Sequence, residues 1–322
     1  RYDKMISRAA FESCHPEKVT QFLLNSDLSP ENSDREITAD SPDQAALQDY
    51  LTTVDPVLKT VPKERLMLAY RYTRDLQEAT AYKSSAGLQW AGSEANFGGR
   101  TRAVMWDPND EAGQKVWAGG VTGGLWYKES ITDTDPWVPV DDFWPNLAVS
   151  CMCYDPNQTE TFYVGTGEAQ TALIIYRESS GLGFGIQRSE DGGETWEIMP
   201  GTETFEYVTD IEVRDEDGTS VVYACVASGI YKGAPHLSEP SDGLFRHEVG
   251  SDQWDQVLPL IDGQEVPFAP SDIEIGPGGR IYVGTMPNVE GYGAATLLYS
   301  DTGLPGSWSV NDEYRVLIEN TP

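Results

Sequence analysis

Basic side chains are scarce in this sequence. Its 322 residues carry 22 Lys and Arg against 52 Asp and Glu, a formal charge of −30. A surface so acidic repels nucleic acid and anionic lipid, both of which are held by clustered Lys and Arg. Neither nucleic-acid binding nor membrane insertion is therefore expected. Long apolar runs are missing too. The longest, around Ala172 to Tyr176, is far short of the roughly 20 residues that span a bilayer. Four Cys cannot staple a chain of this length. Cys151 and Cys153 alternate on a strand-like run and share one face, and Cys225 sits in another. They read as small buried hydrophobes, with a bridge, for example to Cys14, as the other option. Only three His are present, none beside these cysteines at ligand spacing, so no metal is expected.

What is plentiful points to many short elements. Gly (31) and Pro (20) are scattered along the chain, and nine Trp with sixteen Tyr supply core material. Residues 1–90 read as a helical or extended segment with a polar linker between Asn25 and Asp43. Ser41-Pro42 and Val61-Pro62 are helix starts. The first leads into Leu47, Tyr50, Leu51 and Val54, the second into Leu66, Ala69, Tyr70, Thr73 and Leu76, each set on one helical face.

From about Asn96 short β runs take over, and they repeat. Trp137, Trp196, Trp254 and Trp308 recur at spacings of 59, 58 and 54 residues. Each is preceded by three β runs in the same order. An apolar strand comes first (R-A-V-M-W-D-P, A-V-S-C-M-C-Y-D-P, V-T-D-I-E-V, S-D-I-E-I-G-P). A strand with a central aromatic follows (V-W-A-G-G, F-Y-V-G-T-G, V-Y-A-C-V, I-Y-V-G-T), then a third (G-G-L-W-Y, G-F-G-I-Q-R-S, G-L-F-R-H-E, A-T-L-L-Y-S). Four strands repeated four times predict an all-β fold, a β-propeller of four-stranded antiparallel blades. The blades are placed at 96–145, 146–205, 206–262 and 263–322. Because four rarely close a ring of this type, the expectation is a partial or processed chain. Further blades of its own polypeptide would then complete a ring of six to eight.

The run S-E-D-G-G-E-T-W at 189–196 matches the Asp-box, S-x-D-x-G-x-x-W, and so resembles sialidases, sortilin-type receptors and propeller glycosidases. Its expected role is structural. Ser189 and Asp191 bond the turn, Gly192 and Gly193 allow its dihedrals, and Trp196 packs between blades. Trp137, Trp254 and Trp308 are the matching blade aromatics of more degenerate copies. Residues 90 to about 215, including W-A-G-S-E-A-N-F-G-G-R-T-R-A-V-M-W-D-P-N-D, are similar to the large glycosidase-like and sortilin-like propeller proteins exported by type IX secretion. That resemblance implies a secreted or cell-surface bacterial protein.

In such propellers the connections from strand four to strand one and from strand two to strand three share a face. Long connections on a rigid scaffold are where ligands are held. The candidate ligand residues there are Asp141, Asp142, Trp144, Glu168, Tyr176, Arg177 and Glu178, carboxylates, an Arg and aromatics suited to a sugar. The other reading is that they fasten insertion loops. Gly98-Gly99-Arg100 and Gly119-Gly120 lack the strand–loop–helix setting of a phosphate site, so no cofactor is expected. Asp215-Glu216-Asp217-Gly218 reads as a hairpin turn rather than a calcium loop. Two functions compete. One is a scaffold or binding module for glycans or proteins with no catalytic residue. The other is a glycoside hydrolase resembling the xyloglucanase-like propellers and using a carboxylate pair. That family places an Asp near the run here reading V-W-A-G-G-V-T-G-G-L-W, and no carboxylate stands between Val116 and Trp126.

Overall fold

The computed structural model describes residues 55, 57, 66–81, 99–141, 144–169, 181–231, 234–236, 242–288 and 290–311. The chain divides into two compact units, 1–94 and 95–322. In the first, helix α1 runs from Leu66–Ala81; the helix expected after Ser41-Pro42 lies outside the described residues.

The second unit is built from four four-stranded antiparallel sheets, each with its strands in chain order. Blade 1 comprises β1 (Thr101–Trp106), β2 (Val116–Gly120), β3 (Gly124–Lys128) and β4 (Val138–Pro139). Blade 2 comprises β5 (Val149–Asp155), β6 (Gln158–Thr166), β7 (Ile186–Ser189) and β8 (Glu197–Ile198). Blade 3 begins with β9 (Val208–Glu216) and β10 (Thr219–Val226). A small hairpin, β11 (Gly229–Tyr231) with β12 (Ala234–His236), interrupts it before β13 (Gly243–Glu248) and β14 (Asp255–Gln256). Blade 4 comprises β15 (Ala269–Ile275), β16 (Ile281–Met286), β17 (Leu297–Ser300) and β18 (Ser309–Val310). The four repeated units of the sequence are thus four blades of a propeller.

Local chemistry sets the turns. In the two D-P-N turns between first and second strands, Asp107 Oδ1 accepts the Asn109 N–H at 2.9 Å and Asp155 Oδ1 accepts that of Asn157 at 2.8 Å. These are Asx turns, in which the side chain replaces a backbone acceptor. The β9–β10 hairpin turns through Asp217 and Gly218, both at positive φ, as a two-residue hairpin loop demands.

Alternation along the strands then sorts residues to two faces of each blade. The centre of the second strand shows the rule. Trp117, Tyr163 and Tyr223 point forward into the next blade, while Phe162, Val164, Val222, Ala224, Ile281 and Val283 point back to the preceding one. Each inter-blade core therefore pairs a forward aromatic with a backward apolar set, aliphatic in blades 3 and 4 and including Phe162 in blade 2. The cores are closed to solvent: Phe162, Tyr163, Val164, Tyr223, Ile281 and Val283 are fully buried.

The S-E-D-G-G-E-T-W turn joins β7 to β8. Ser189 Oγ donates to Asp191 Oδ1 (2.7 Å) and accepts the Gly193 N–H (2.9 Å). Asp191 accepts the Thr195 N–H at 2.9 Å and its hydroxyl at 2.5 Å, and Trp196 Nε1 donates to the Gly193 carbonyl at 3.0 Å. Slight burial acts to raise the Asp191 pKa, yet these hydrogen bonds hold the carboxyl below its usual range. Its lone pairs are committed to the turn. Gly193 has φ 91° and lies against the Trp117 ring of blade 1, where an added Cβ would sit 2.3 Å from Cη2. Asp191→Ala should therefore cost about 1 kcal/mol in urea unfolding and leave any ligand affinity unchanged; a loss of binding without loss of stability would contradict a purely structural role.

Trp196 packs on Trp117, Trp144 and Phe162, with centroids 6.4, 5.3 and 6.5 Å away. Trp254 stacks on His247 and meets Phe205 edge-on, and Trp308 packs against the core between blades 3 and 4. Trp137 differs from these three. It is 39% exposed, because it faces away from blade 2. Cys151, Cys153 and Cys225 are free thiols in the inter-blade cores. Burial pushes all three well above the ordinary thiol pKa. No bridge forms among the described cysteines, and Cys14 lies outside the described residues.

Candidate ligand-binding site

The pairing registers place the start of each first strand opposite the end of each second strand, for example Val149 with Thr166 and Ala269 with Met286. The four-to-one and two-to-three connections therefore leave one face. The hairpins and the Ser189–Trp196 turn leave the other.

At the first-strand starts lies a cavity of about 700 Å³. It is lined by β1, β5, β9 and β15, the first strands of all four blades, and its polar lining includes Arg102, Ser150, Thr209, Asp210, Glu212, Ser271, Asp272 and Glu274. Hydroxyls on this rim also stitch blades together. Ser150 Oγ donates to the Val208 carbonyl, and Thr209 Oγ1 donates to the Pro270 carbonyl at 2.8 Å.

Four carboxylates converge here from two adjacent strands. Asp210 Oδ1 accepts the Ile211 N–H and Oδ2 accepts the Ile273 N–H of blade 4, both at 2.9 Å. Burial, with the Asp272 carboxyl hydrogen-bonded beside it, pushes the Asp210 pKa up to about 8. Burial, reinforced by Glu274 and Asp272, pushes Glu212 up to about 7. Like charges at close quarters in a partly buried site resist simultaneous ionisation, so at neutral pH Asp210 keeps its proton while Glu212 is about half protonated. Such a lining can accept hydrogen bonds from hydroxyls and, while protonated, donate them. Arg102 adds a guanidinium.

The residues expected at the ligand rim fare unequally. Trp144 is a core residue, 7% exposed with its ring against Trp196 at 5.3 Å, and offers no free face for stacking. Glu168 is 2% exposed and lies between Arg102 (3.6 Å) and Arg100 (3.8 Å), so it opens into no cleft. Asp141 is half-buried and engaged, while Asp142, Tyr176, Arg177 and Glu178 lie outside the described residues. No acidic pair from this set is brought together in an open cleft among the described residues. Nor, among them, do three His, Cys, Asp or Glu side chains converge as a metal would need.

The carboxylates of the cavity escaped the sequence reading because they stand inside runs taken as apolar strands. A signal was present. V-T-D-I-E-V and S-D-I-E-I both carry D-I-E, two acids at alternate positions and hence on one face of a strand.

No protein-family model and no curated protein matches the sequence. Solved structures similar to it include YCF48 bound to D1 peptide (14% identity over 67% of this chain and 55% of that one, TM-score 0.39). An ancestral GH74 enzyme is 12% identical over 66% of this chain and 27% of that one, with TM-score 0.43. The GH93 α-L-arabinofuranosidase of Fusarium graminearum, solved with arabinobiose, is 12% identical over 65% of each chain, with TM-score 0.36. The chain spans about half the length of the first and about a quarter of the second. The class rests on the four blades themselves: this is an all-β propeller protein.

Proposed function

We propose that this chain is an Asp-box propeller of an exported bacterial protein, and that it works as a binding module for a neutral, hydroxyl-rich glycan. The observation that carries the reading is the polar cavity on the first strands, at the face from which the long connections leave. Asp272 and Glu274 are exposed there, within reach of solvent or sugar, whereas Asp210 is held by backbone N–H groups of two blades. An anionic ligand would meet four carboxyls and one Arg, so charge favours a neutral one. Export rests on the resemblance of residues 90–215, and cell fractionation checks it.

Titration calorimetry against a panel of neutral oligosaccharides tests the binding. Asp272→Asn combined with Glu274→Gln should weaken the best ligand at least about tenfold, the worth of one or two lost charge-assisted hydrogen bonds. Absence of binding across the panel sinks the reading. The raised pKa values of Asp210 and Glu212 favour a second reading, glycoside hydrolysis with one of them as the acid. Against it stands the double backbone clamp on Asp210. Release of reducing ends from a glucan panel, abolished by Glu212→Gln, would decide for the hydrolase.

A further inference from the structure

The first strand of every blade carries the same irregularity. Two consecutive residues of the second strand pair with residues two apart on the first. Gly119 and Gly120 face Ala103 and Thr101, and Gly165 and Thr166 face Cys151 and Val149. Cys225 and Val226 face Asp210 and Val208, and Gly284 and Thr285 face Asp272 and Pro270. The residue passed over each time is a β-bulge, which re-aims one side chain. The four bulged residues are Arg102, Ser150, Thr209 and Ser271, and all four line the cavity.

In three blades the bulge carries a hydroxyl, and the hydroxyl is spent on the scaffold. Ser150 Oγ donates to the Val208 carbonyl, Thr209 Oγ1 to that of Pro270 at 2.8 Å, and Ser271 Oγ to that of Gly284 at 3.1 Å. Val208 and Pro270 stand immediately before the next bulge, so the first two bonds tie bulge to bulge. Blade 1 breaks the pattern. Its bulged residue is an arginine, and its partner among the described residues is Glu168 of blade 2, 3.6 Å from Nη1.

That pairing holds the guanidinium without using its donors. Elsewhere Arg246–Glu216 and Arg280–Asp301 close to 2.6 Å, and Arg188–Glu197 to 2.7 Å. Arg102 and Arg100 stop 3.6 and 3.8 Å from Glu168, beyond hydrogen-bond reach. Neither Glu168 oxygen accepts a hydrogen bond among the described residues, although both are shut off from solvent. A carboxylate so deep attracts a guanidinium through a poorly screening interior. Arg102 is thus fixed by charge, and its planar fork of N–H groups stays open to another acceptor. Among the described lining residues it alone carries a positive charge.

We propose that Arg102 is the donor that orients the ligand in the cavity, and that Glu168 is the residue that positions it. The inference rests on the cavity being the glycan site. Two neighbouring sugar oxygens accept from the fork at blade 1, and the sugar's hydroxyls donate to Asp272 and Glu274 at blade 4. The scaffold itself needs only a hydroxyl at the bulge, as three blades show.

Arg102→Ser gives blade 1 the hydroxyl type of the other three, and Glu168→Gln made with it leaves no buried charge stranded. The double variant should unfold at the urea midpoint of the parent. It should bind the best neutral oligosaccharide of the panel at least about tenfold more weakly in titration calorimetry. Arg102→Lys keeps the charge but loses the fork, and should bind as weakly. Glu168→Gln should weaken binding in the parent, yet change it by less than about twofold in the Arg102→Ser chain, because Glu168 acts through the arginine. Parent-like affinity in the double variant or in Arg102→Lys overturns the proposal. So does a Glu168→Gln loss of equal size in both backgrounds, or a double variant that does not fold, since the pair would then be scaffold. A parent that binds no oligosaccharide sinks the glycan reading of the cavity and this inference with it. A parent that binds while the variants keep its affinity sinks this inference alone.

Discussion

Trp117→Ala should lower the free energy of unfolding by about 3–5 kcal/mol, the range for removing a fully buried large aromatic. Trp117 is 2% exposed and is surrounded by Tyr127, Phe162 and Trp196, with ring centroids at 5.2, 5.6 and 6.4 Å. Its Nε1 donates to Asp107 Oδ2 at 3.0 Å, and the Lys115 ammonium lies 5.1 Å from the ring. Gly193 of the next blade has been reduced to a hydrogen atom to let the indole pass. The cavity left by Ala would thus open between two blades and could not be filled by either without moving a strand. Trp106→Ala is the control, since that ring is 53% exposed and its loss from the 322-residue chain should change stability by less than about 0.5 kcal/mol. Urea unfolding of both variants makes the comparison. Equal costs would mean that the forward aromatics do not join the blades.

Stability should fall as pH rises from about 4 to about 8. The native chain holds protons on Asp210 up to about 8 and on Glu212 up to about 7, while in the unfolded chain the same groups release them near 3.8 and 4.5. Between those values folding takes up protons, so the stabilisation is complete below the unfolded pKa and is lost as pH climbs to the folded one. Each unit over which one proton is held only by the native state is worth about 1.4 kcal/mol, and both groups contribute to the loss. Asp191 works in the opposite sense and at lower pH, because its folded pKa is depressed. The measurement is thermal or urea unfolding at intervals across the range. Asp210→Asn should remove about one proton from the slope. If the slope is the same in Asp210→Asn and Glu212→Gln as in the parent, burial of these carboxyls is not what stores the protons.

The physical link between the two results is the first strand of each blade. Its backward positions are aliphatic in blades 3 and 4, and its forward positions narrow toward the cavity. There blades 1 and 2 place Ala103 and Cys151, while blades 3 and 4 place Asp210, Glu212, Asp272 and Glu274. One half of the arc is held by small apolar groups, the other by shared protons and backbone hydrogen bonds. The acidic half is the one that can meet a polar ligand.

The amino-acid sequence determined the architecture by itself. Tryptophans at near-constant spacing, a central aromatic in every second strand, and D-P-N and S-E-D-G-G turns recur at fixed places in each unit, so they show in the linear order even though the aromatics pack across to a neighbouring blade. Even the exception obeys that logic: Trp137 occupies its place in the repeat, and only its surroundings differ. The ligand face was decided by the tertiary structure. Trp144 and Glu168 have side chains suited to a sugar, yet one completes an aromatic cluster with Trp196 and the other lies between Arg100 and Arg102. Asp210 and Asp272 stand 62 residues apart and meet because successive blades bring their first strands side by side. Burial and charge proximity are properties of that meeting, and no single strand contains them.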